Sequence, residues 1–376
     1  MAGIYIHIPF CRQACHYCDF HFSTSGKQQG AMTMAILKEI AMQKDYLQGE
    51  LIDTIYFGGG TPSLLSKQEL HEILQGLKSN FKITEQAEIT LEANPDDLDI
   101  SFLNELLSLG INRLSLGVQT FNDVVLTWMN RAHRREQAMK CFQMARSTGF
   151  DNISMDLIFG VPIESYDLAD DLEITLDLSP DHVSTYQLTI EPQTVLGHRQ
   201  RKGLLQEISQ EQAAAQFELI ISTLEQKGYQ HYEISNFALL GKESHHNRGY
   251  WQQSFYLGLG PSAHSFNGHS RQFNVAHNAQ YLAAVQQGVL PHKLEILTRS
   301  NQINESIMTG LRTSRGLDLG YLQERYQCDL QREQGPYLQE LITNNFAEID
   351  ENKIILTRKG KLIADQIAAD LFIVDD

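Results

Sequence analysis

The sequence predicts an α/β protein: an incomplete, open (β/α)6 barrel followed by a smaller C-terminal α+β domain with a winged-helix-like arrangement. Short β-branched runs alternate with longer helical patterns over the first 228 residues, as is typical of a parallel sheet. Helical patterns followed by a hairpin pattern occupy the end of the chain. At 376 residues, the chain is long enough for both units to bury a core.

Six strand–helix units are predicted in order along the barrel. The strands are expected at Gly3–Ile8, Asp53–Phe57, Ala87–Ala93, Arg113–Val118, Asn152–Phe159 and Asp181–Leu188. The helices are expected at Ala31–Leu47, Lys67–Ser79, Ile100–Leu109, Arg135–Thr148, Leu168–Leu178 and Gln210–Lys227. Gly110 and Gly149 directly follow two of these helices, where a capping glycine is common.

The rest of the chain is predicted to form a post-barrel segment, 229–299, and a separate small domain, 300–376. In the small domain, helices are expected at Asn304–Leu311, Leu319–Tyr326 and Pro336–Asn344, then a hairpin over Ala347–Leu356 and a helix from Arg358 to about Leu371. Winged helices often read DNA, but acidic residues outnumber basic ones in 300–376. The balance of charge favours a docking or lid role for this domain.

Composition narrows the class of protein. The formal net charge of -16 argues against nucleic acid as a partner, because phosphate binding depends on clustered Lys and Arg. No apolar run approaches the ~20 residues of a membrane span. The chain starts directly in a strand without a targeting pattern, and five cysteines are too few for a secreted disulfide framework. We therefore expect a cytoplasmic protein.

Three of the five cysteines form the most specific motif of the chain. Cys11, Cys15 and Cys18 are spaced C-x3-C-x2-C directly after the first predicted strand. Thiolates are soft ligands, so three of them on one loop can hold a metal or a cluster. A [4Fe–4S] cube has four irons, and three cysteines would leave one iron open to an exogenous molecule.

A zinc site with three cysteines and one histidine is the alternative for this loop. His7, His16 and His21 lie close to the cysteines in sequence and could supply the fourth ligand. Cys141 and Cys328 stand alone, and each is expected to be a small buried hydrophobic residue.

Polar residues and glycines also follow the other predicted strands. The second strand ends in the run Gly58–Thr61, the third at Glu92, the fourth at Gln119, and the fifth carries Asp156. Carboxyl ends of parallel strands meet at one edge, where α/β proteins form their sites. Each residue alone has an ordinary role in a turn, a cap or a loop. Their shared edge favours the cluster over an isolated zinc site.

The motif Tyr5-x-His-x-Pro-Phe-Cys-x3-Cys-x2-Cys resembles the cluster loop of radical S-adenosylmethionine (SAM) proteins, and more narrowly the oxygen-independent coproporphyrinogen III oxidase superfamily. The resemblance implies a [4Fe–4S] cluster on Cys11, Cys15 and Cys18, with SAM chelating the fourth iron. It implies that SAM lies against Tyr5, Gly59, Gly60, Thr61 and Glu92. It matches Gln119, Arg131 and Asp156 to positions that hold a second SAM in the oxidase branch, and Tyr17 to an aromatic residue beside the cluster.

Two departures from the oxidase pattern favour the haem-chaperone branch of that superfamily. The oxidases carry a fourth cysteine where this chain has Phe20, and a long extension before the first strand. Decarboxylation of coproporphyrinogen is therefore not expected, and no catalytic residue is assigned. A radical SAM enzyme acting on a porphyrinogen is the alternative function.

The post-barrel segment contains His-Asn-x-x-Tyr-Trp, which resembles the haem-binding motif of the chaperone branch. The resemblance implies that His246 is an axial haem ligand, with His245 in reserve, and that Tyr250 and Trp251 contact the porphyrin. The alternative is an ordinary loop histidine with both aromatic residues in the core. The implied partners are haem and haem-accepting proteins. Two roles of the cluster stay open: it could support the formation of a homodimer, or peripheral docking at a membrane complex.

Overall fold

The structure is a computed structural model that describes residues 1–374, so the last two residues of the predicted C-terminal domain lie outside it. Six parallel strands pair in sequence order and confirm the predicted barrel. They are β1 (Ala2–Ile8), β2 (Ile52–Gly59), β3 (Ile83–Ala93), β4 (Arg113–Gln119), β5 (Ile153–Phe159) and β6 (His182–Gln187). We call the edge at their carboxyl ends the rim and the edge at their amino ends the floor.

Helices connect these strands and cover the barrel. They are α1 (Gln29–Met42), α2 (Lys67–Asn80), α3 (Ile100–Ser108), α4 (Asp123–Trp128), α5 (Arg135–Thr148), α6 (Leu168–Leu178), α7 (Val195–Arg201) and α8 (Gln210–Gln226). The bounds of α5 and α6 agree with the sequence prediction. α1 ends before the predicted Leu47, in a turned segment where Gln48 and Gly49 have positive φ angles. The short helices α4 and α7 were not predicted.

Residues 229–299 extend the barrel sheet on both sides. β7 (Gln230–Glu233) and β8 (Asn236–Ala238) continue from β6, while β9 (Tyr256–Leu259) pairs parallel with β1. Beyond β9 follow the antiparallel strands β10 (His264–Phe266), β11 (Ser270–Asn274) and β12 (His292–Ile296). Two helices, α9 (His245–Trp251) and α10 (Asn278–Gln286), lie between them.

The apolar side chains of this segment explain why it joins the sheet. Phe237, Leu257, Leu259 and Tyr281 are buried in the same hydrophobic core as the barrel strands. Residues 229–299 are predicted as a separate segment after the barrel, whereas in the structure they share the sheet and the core of the barrel.

The C-terminal part has a core of its own and agrees with the predicted α+β domain. Its three strands, β13 (Leu317–Asp318), β14 (Ala347–Asp350) and β15 (Lys353–Leu356), pair in the order β13-β15-β14. The helices are α11 (Arg299–Leu311), α12 (Leu319–Tyr326), α13 (Leu330–Thr343, kinked at Gln334), α14 (Arg358–Lys361) and α15 (Ala364–Asp370). Arg358 forms ion pairs with Glu218 and Glu225 of α8, which join the domain to the barrel.

None of the helices in residues 1–374 combines the length and the apolar character needed to cross a bilayer.

Candidate functional site

A cavity of about 560 Å³ opens on the rim of the barrel. The three cysteines of the loop after β1 line it, and so do most of the sequence-predicted site residues: Tyr17, Gly59, Gly60, Thr61, Glu92, Gln119, Arg131 and Asp156. Tyr5 is absent from the lining, and its ring stacks on that of Tyr56 at a centroid distance of 6.1 Å. The sequence therefore identified residues that the fold does bring together.

Backbone hydrogen bonds close the base of the cysteine loop. Cys11 N donates to Ser23 O at 3.0 Å, and Ser23 N donates to Pro9 O at 2.9 Å. Within the loop, Cys18 N donates to Cys15 O at 3.3 Å. All three thiols are free and partly exposed. The loop thus presents three sulfur ligands to the rim cavity from a closed backbone frame.

The electrostatics of the thiols indicate that they need a positive partner to ionise. Burial raises the pKa of Cys11 and raises the pKa of Cys18 to about 11, and neighbouring cysteines add to both shifts. Arg131 opposes these shifts, and its Nη1 donates to Cys15 Sγ at 3.4 Å. Three thiolates so close together require metal cations to stabilise them, as an iron–sulfur cluster does.

The histidines considered for a zinc site are all engaged with the protein. His7 is buried, with its Nδ1 3.3 Å from Tyr5 Oη and its Nε2 2.8 Å from His21 O. His16 Nδ1 lies 2.7 Å from Trp128 O, and His21 Nε2 lies 2.7 Å from Asn278 Oδ1. Among residues 1–374, no group of three His, Cys, Asp or Glu side chains is arranged to hold a single metal ion.

The glycine run after β2 fits tightly against β1 and the cysteine loop. Gly60 N donates to Ile8 O at 2.9 Å, and Thr61 N donates to Phe10 O at 2.7 Å. A Cβ atom on Gly60 would lie 2.6 Å from Ile8 O and 2.7 Å from Phe10 O. Gly59 has a φ angle of +101°, which favours glycine. These glycines are required by internal packing, and they leave bare backbone along the cavity.

Glu92 presents a carboxylate into the same cavity. Tyr56 Oη donates to its Oε1 at 2.8 Å, and Gly59 N donates to its Oε2 at 3.2 Å. Burial raises the pKa of Glu92 to about 7, against these two hydrogen bonds, which lower it. A carboxylate that is short of positive charge is suited to an ammonium group such as the amino group of SAM.

Arg131 is held in the cavity wall by hydrogen bonds. Its Nη2 donates to Asn94 Oδ1 and to Gly117 O, both at 2.6 Å, while its Nε is buried without a partner. Asp156 accepts from Ser115 Oγ at 3.2 Å. Gln119 adopts a φ angle of +70°, a conformation that costs a non-glycine residue energy. The Arg131 guanidinium is suited to an anionic ligand, and the Asp156 carboxylate is suited to a ligand with hydroxyl groups.

The aromatic residues of the loop differ in exposure. Tyr17 is half-buried, and desolvation raises the pKa of its hydroxyl. Phe20 is 72% exposed at the mouth of the cavity. Asn94 and Tyr186 also line the cavity wall but were not predicted from the sequence. Tyr186 lies at the carboxyl end of β6, so the rule that selected the other rim residues would have selected it as well.

The His-Asn-x-x-Tyr-Trp motif lies on the floor of the barrel, away from the rim cavity. It forms α9, which is capped by Ser244 and by Glu88, whose carboxylate accepts from His245 N and His246 N at 3.2 and 3.1 Å. A Cβ atom on Gly3 would lie 3.1 Å from the His246 ring. From Gly3 to Ile8, β1 spans roughly 17 Å, which separates the two sites.

His246, which the sequence resemblance implies to be an axial haem ligand, occupies a closed environment. Its Nδ1 lies 2.8 Å from Thr54 Oγ1 and its Nε2 2.9 Å from Tyr250 Oη, so both ring nitrogens are satisfied. Only 4% of the residue is exposed, and burial, with Arg113, lowers its pKa to about 3. His245, by contrast, is exposed. The Trp251 ring packs under the Arg312 guanidinium at 5.4 Å.

Comparisons with known proteins agree with this geometry. Residues 5–175 match the Radical SAM superfamily model, and residues 297–363 match the HemN C-terminal domain model. The curated heme chaperone HemW of Bacillus subtilis (strain 168) is 36% identical over 98% of each chain. This chain belongs to the HemW family. The heme chaperone HemW of Lactococcus lactis subsp. lactis (strain IL1403) is 34% identical to this chain, over 99% of this chain and 97% of the relative.

One solved structure resembles the whole chain. Coproporphyrinogen III oxidase (HemN) from Escherichia coli, described as a radical SAM enzyme, superposes with a TM-score of 0.84 at 25% identity. The match covers 99% of this chain and 90% of the oxidase. As a radical SAM protein of the HemW family, the chain uses a [4Fe–4S] cluster and SAM. The rim cavity, with three thiols and an acceptor carboxylate, fits both groups.

We expect each of Cys11→Ser, Cys15→Ser and Cys18→Ser to lose the cluster, because a hydroxyl is a poor ligand for iron. Cys141→Ser and Cys328→Ser are the controls, since both thiols are buried elsewhere. Iron and inorganic sulfide analysis of anaerobically prepared protein measures the outcome. About one zinc per chain and no sulfide in the wild-type protein would contradict the expectation.

The raised pKa of Glu92 predicts a pH-dependent stability. Between its ordinary value of 4.5 and about 7, the carboxyl ionises in the unfolded chain while it stays protonated in the fold. Glu92 therefore lowers the free energy of unfolding as pH rises through this window. Glu92→Gln should make the slope of the free energy of unfolding against pH more positive by up to about 1.4 kcal/mol per pH unit in this window, measured by urea denaturation of SAM-free protein.

Glu85→Gln, which changes an exposed carboxylate on β3, the strand that carries Glu92, is the matched control. A slope in Glu92→Gln equal to that of the wild type would show that Glu92 ionises normally in the fold.

Proposed function

We propose that this chain is a haem chaperone, which binds haem and transfers it to acceptor proteins on a radical SAM scaffold. The near full-length identity to curated relatives named heme chaperone HemW carries this proposal. The acceptor is a protein, and the [4Fe–4S] cluster and SAM are the other cofactors. An oxygen-sensitive cluster favours the reducing cytoplasm, and an acceptor in a membrane complex would be reached by peripheral docking.

For the rim, we propose that Cys11, Cys15 and Cys18 hold the cluster, with Tyr17 and Arg131 beside it. The SAM amino group would be accepted by Glu92, and the bare backbone of Gly59 and Gly60, with Thr61, would lie along the same molecule. Tyr5 does not line the cavity but packs against Tyr56, which donates a hydrogen bond to Glu92. Arg131, Gln119 and Asp156 would meet the carboxylate and ribose of SAM, or of a second SAM molecule. Bound SAM supplies the fourth ligand position of the cluster.

The likeness to the oxidase structure and the size of the rim cavity support a second candidate function, a radical SAM enzyme that acts on a porphyrinogen. The superposition with the coproporphyrinogen III oxidase covers the whole chain, and the rim cavity of about 560 Å³ has room beyond the cluster. Against this candidate, Phe20 stands at the mouth of the cavity where the oxidase pattern has a fourth cysteine. The chaperone is therefore the function that we prefer.

For haem, we propose a cleft on the floor between α9 and the C-terminal domain. Two small cavities, one beside α9 and one beside α12, share Gln252 and Phe255 as lining residues. Aromatic rings run along this surface, with Tyr250 against Tyr256 at 4.7 Å and Tyr256 against Phe266 at 6.2 Å. Such rings can pack on a porphyrin face.

Charge and accessibility suggest how haem would be held there. Arg325 lines the cavity beside α12 and forms no ion pair with another residue of the described chain, so a haem propionate could pair with it. His245, directly before the motif, presents an exposed imidazole. In the conformation described, His245 is the residue that can ligate iron, whereas His246 becomes available only if its bonds to Thr54 and Tyr250 break.

The two histidines should therefore respond differently to substitution. His245→Ala should shift the Soret band of the haem complex and speed haem loss, with little change in stability. His246→Ala should lower the free energy of unfolding by about 2–4 kcal/mol, because it removes a buried ring with two hydrogen bonds. Haem titrations and urea denaturation of both variants, beside the wild type, measure these effects.

The rim variants Cys11→Ser and Cys15→Ser serve as controls and should keep haem binding, because the sites lie apart. A Soret shift in His246→Ala, with a normal spectrum in His245→Ala, would return the ligand role to His246 and require α9 to open. No haem binding by wild-type protein would remove the chaperone function itself.

The missing fourth cysteine leads to a prediction on catalysis. We expect anaerobically reconstituted protein to leave coproporphyrinogen III unchanged, while slow uncoupled cleavage of SAM to 5′-deoxyadenosine proceeds with a strong reductant. Product analysis by chromatography checks both reactions, with Cys15→Ser as the cluster-free control. Substrate-dependent formation of protoporphyrinogen IX would overturn the chaperone in favour of the enzyme.

A further inference from the structure

Arg113, the first residue of β4, carries a positive charge inside the barrel. It is 1% exposed and is the largest of the fully buried side chains. None of the ion pairs within residues 1–374 includes it, and its Nε is buried without a hydrogen-bond partner. A buried charge without an ion pair is costly unless other groups stabilise it. The groups on which this charge acts therefore indicate its role.

The strand register places Arg113 below the carboxylates of the rim. It is paired with Thr90 of β3, whose Oγ1 is also buried without a partner. Two residues further towards the rim, Glu92 is paired with Ser115, which donates to Asp156 at 3.2 Å. Side chains two residues apart on a strand point to the same face and are separated by roughly 7 Å. The guanidinium therefore lies beneath Glu92 and Asp156 in the barrel interior.

The other ionisable groups of the barrel interior are already engaged. Both ring nitrogens of His182 and both of His246 lie within hydrogen-bond distance of hydroxyl groups. Burial, and then Arg113, lowers the pKa of both histidines, so they are neutral at pH 7. The Glu88 carboxylate, towards the floor, accepts hydrogen bonds from the first N–H groups of α9. The rim carboxylates are the negative groups on which Arg113 can act.

We propose that Arg113 is a positioning residue for SAM: its charge keeps the Glu92 carboxylate ionised, so that Glu92 can accept the SAM amino group. Arg113 is absent from the lining of the rim cavity, so it acts through Glu92 and does not touch the ligand. The inference rests on the role of Glu92 proposed above, and it adds a residue that the cavity itself does not reveal.

The surroundings of Glu92 show how much depends on this charge. Burial raises the pKa of Glu92 to about 7, and Asp156 adds to the rise. Hydrogen bonds from Tyr56 and Gly59, and the charge of Arg113, lower the pKa. The groups that face Glu92 from β1, β6 and α9 are phenols whose own pKa is raised by burial: Tyr5, Tyr186 and Tyr250. Arg113 is the cation of this set.

Arg113→Met should make SAM binding depend more steeply on pH. If only ionised Glu92 accepts SAM, and its pKa rises from about 7 to about 8, the competent fraction falls about tenfold at pH 6 but by less than about twofold at pH 8.5. The ratio of the Kd of the variant to the Kd of the wild type should therefore fall from about 10 to about 1 over this range. The SAM amino group titrates alike in both measurements, so it cancels in the ratio.

Equilibrium dialysis of labelled SAM against anaerobically reconstituted protein measures these Kd values. Arg113→Lys is the matched control: because Arg113 has no bidentate ion pair, a lysine can supply the same charge, and its ratio should stay near 1 at every pH. In a Glu92→Gln background, Arg113→Met should give a ratio that does not change with pH. Iron and sulfide analysis and thermal unfolding check that each variant is loaded and folded, and Arg113→Gln is the second neutral variant.

The possible outcomes separate this inference from the proposed function. A ratio above 1 by the same factor at every pH would assign Arg113 a packing role and overturn the inference, while Glu92 would stay the proposed SAM acceptor. The same pH profile in Arg113→Lys as in Arg113→Met, or a pH-dependent ratio in the Glu92→Gln background, would overturn it as well. Wild-type protein that binds no SAM would remove the proposed rim site itself.

Discussion

The rim site depends on the close approach of the glycine turn after β2 to the end of β1. Two backbone hydrogen bonds, Gly60 N to Ile8 O and Thr61 N to Phe10 O, hold the start of the cysteine loop in place. A side chain at Gly60 would collide with both carbonyl oxygens. Because this contact fixes Cys11 beside Thr61, it sets the position of the loop over the open barrel. The same glycine turn therefore sets the positions of the cysteine thiols and of Glu92 around the cavity.

The barrel interior connects the rim to the floor through polar aromatic side chains. Tyr56 donates to Glu92 on the rim side, and its ring stacks on His246 at a centroid distance of 5.1 Å on the floor side. Tyr5 packs against both rings. Any displacement of α9 would therefore change the packing of Tyr56, which also holds the carboxylate proposed to accept SAM. The two sites are distant in space but share one packed side chain.

Local sequence patterns predicted the barrel well and the floor poorly, for physical reasons. The six strands follow from periodicity, and Glu92, Gln119 and Asp156 follow from the rule that carboxyl ends of parallel strands meet. Tyr5, Tyr17 and Arg131 were expected only because the cysteine motif resembles a known family. The position of α9 depends on partners far along the chain, since Thr54 and Glu88 lie about 160 to 190 residues from His246. No local pattern reveals such contacts. The strands β7–β12 were missed because each is only three to five residues long.

The floor geometry suits a protein that must release what it binds. A ligand sealed into a dry pocket dissociates slowly, because affinity differences between related sites appear mainly in the dissociation rate. The cavities beside α9 and α12 are small and open, so a porphyrin would remain partly exposed there and accessible to an acceptor. If His246 ligated iron instead, the cost of breaking its two hydrogen bonds would be subtracted from haem affinity. In either arrangement the fold limits the strength of binding, which favours transfer over storage.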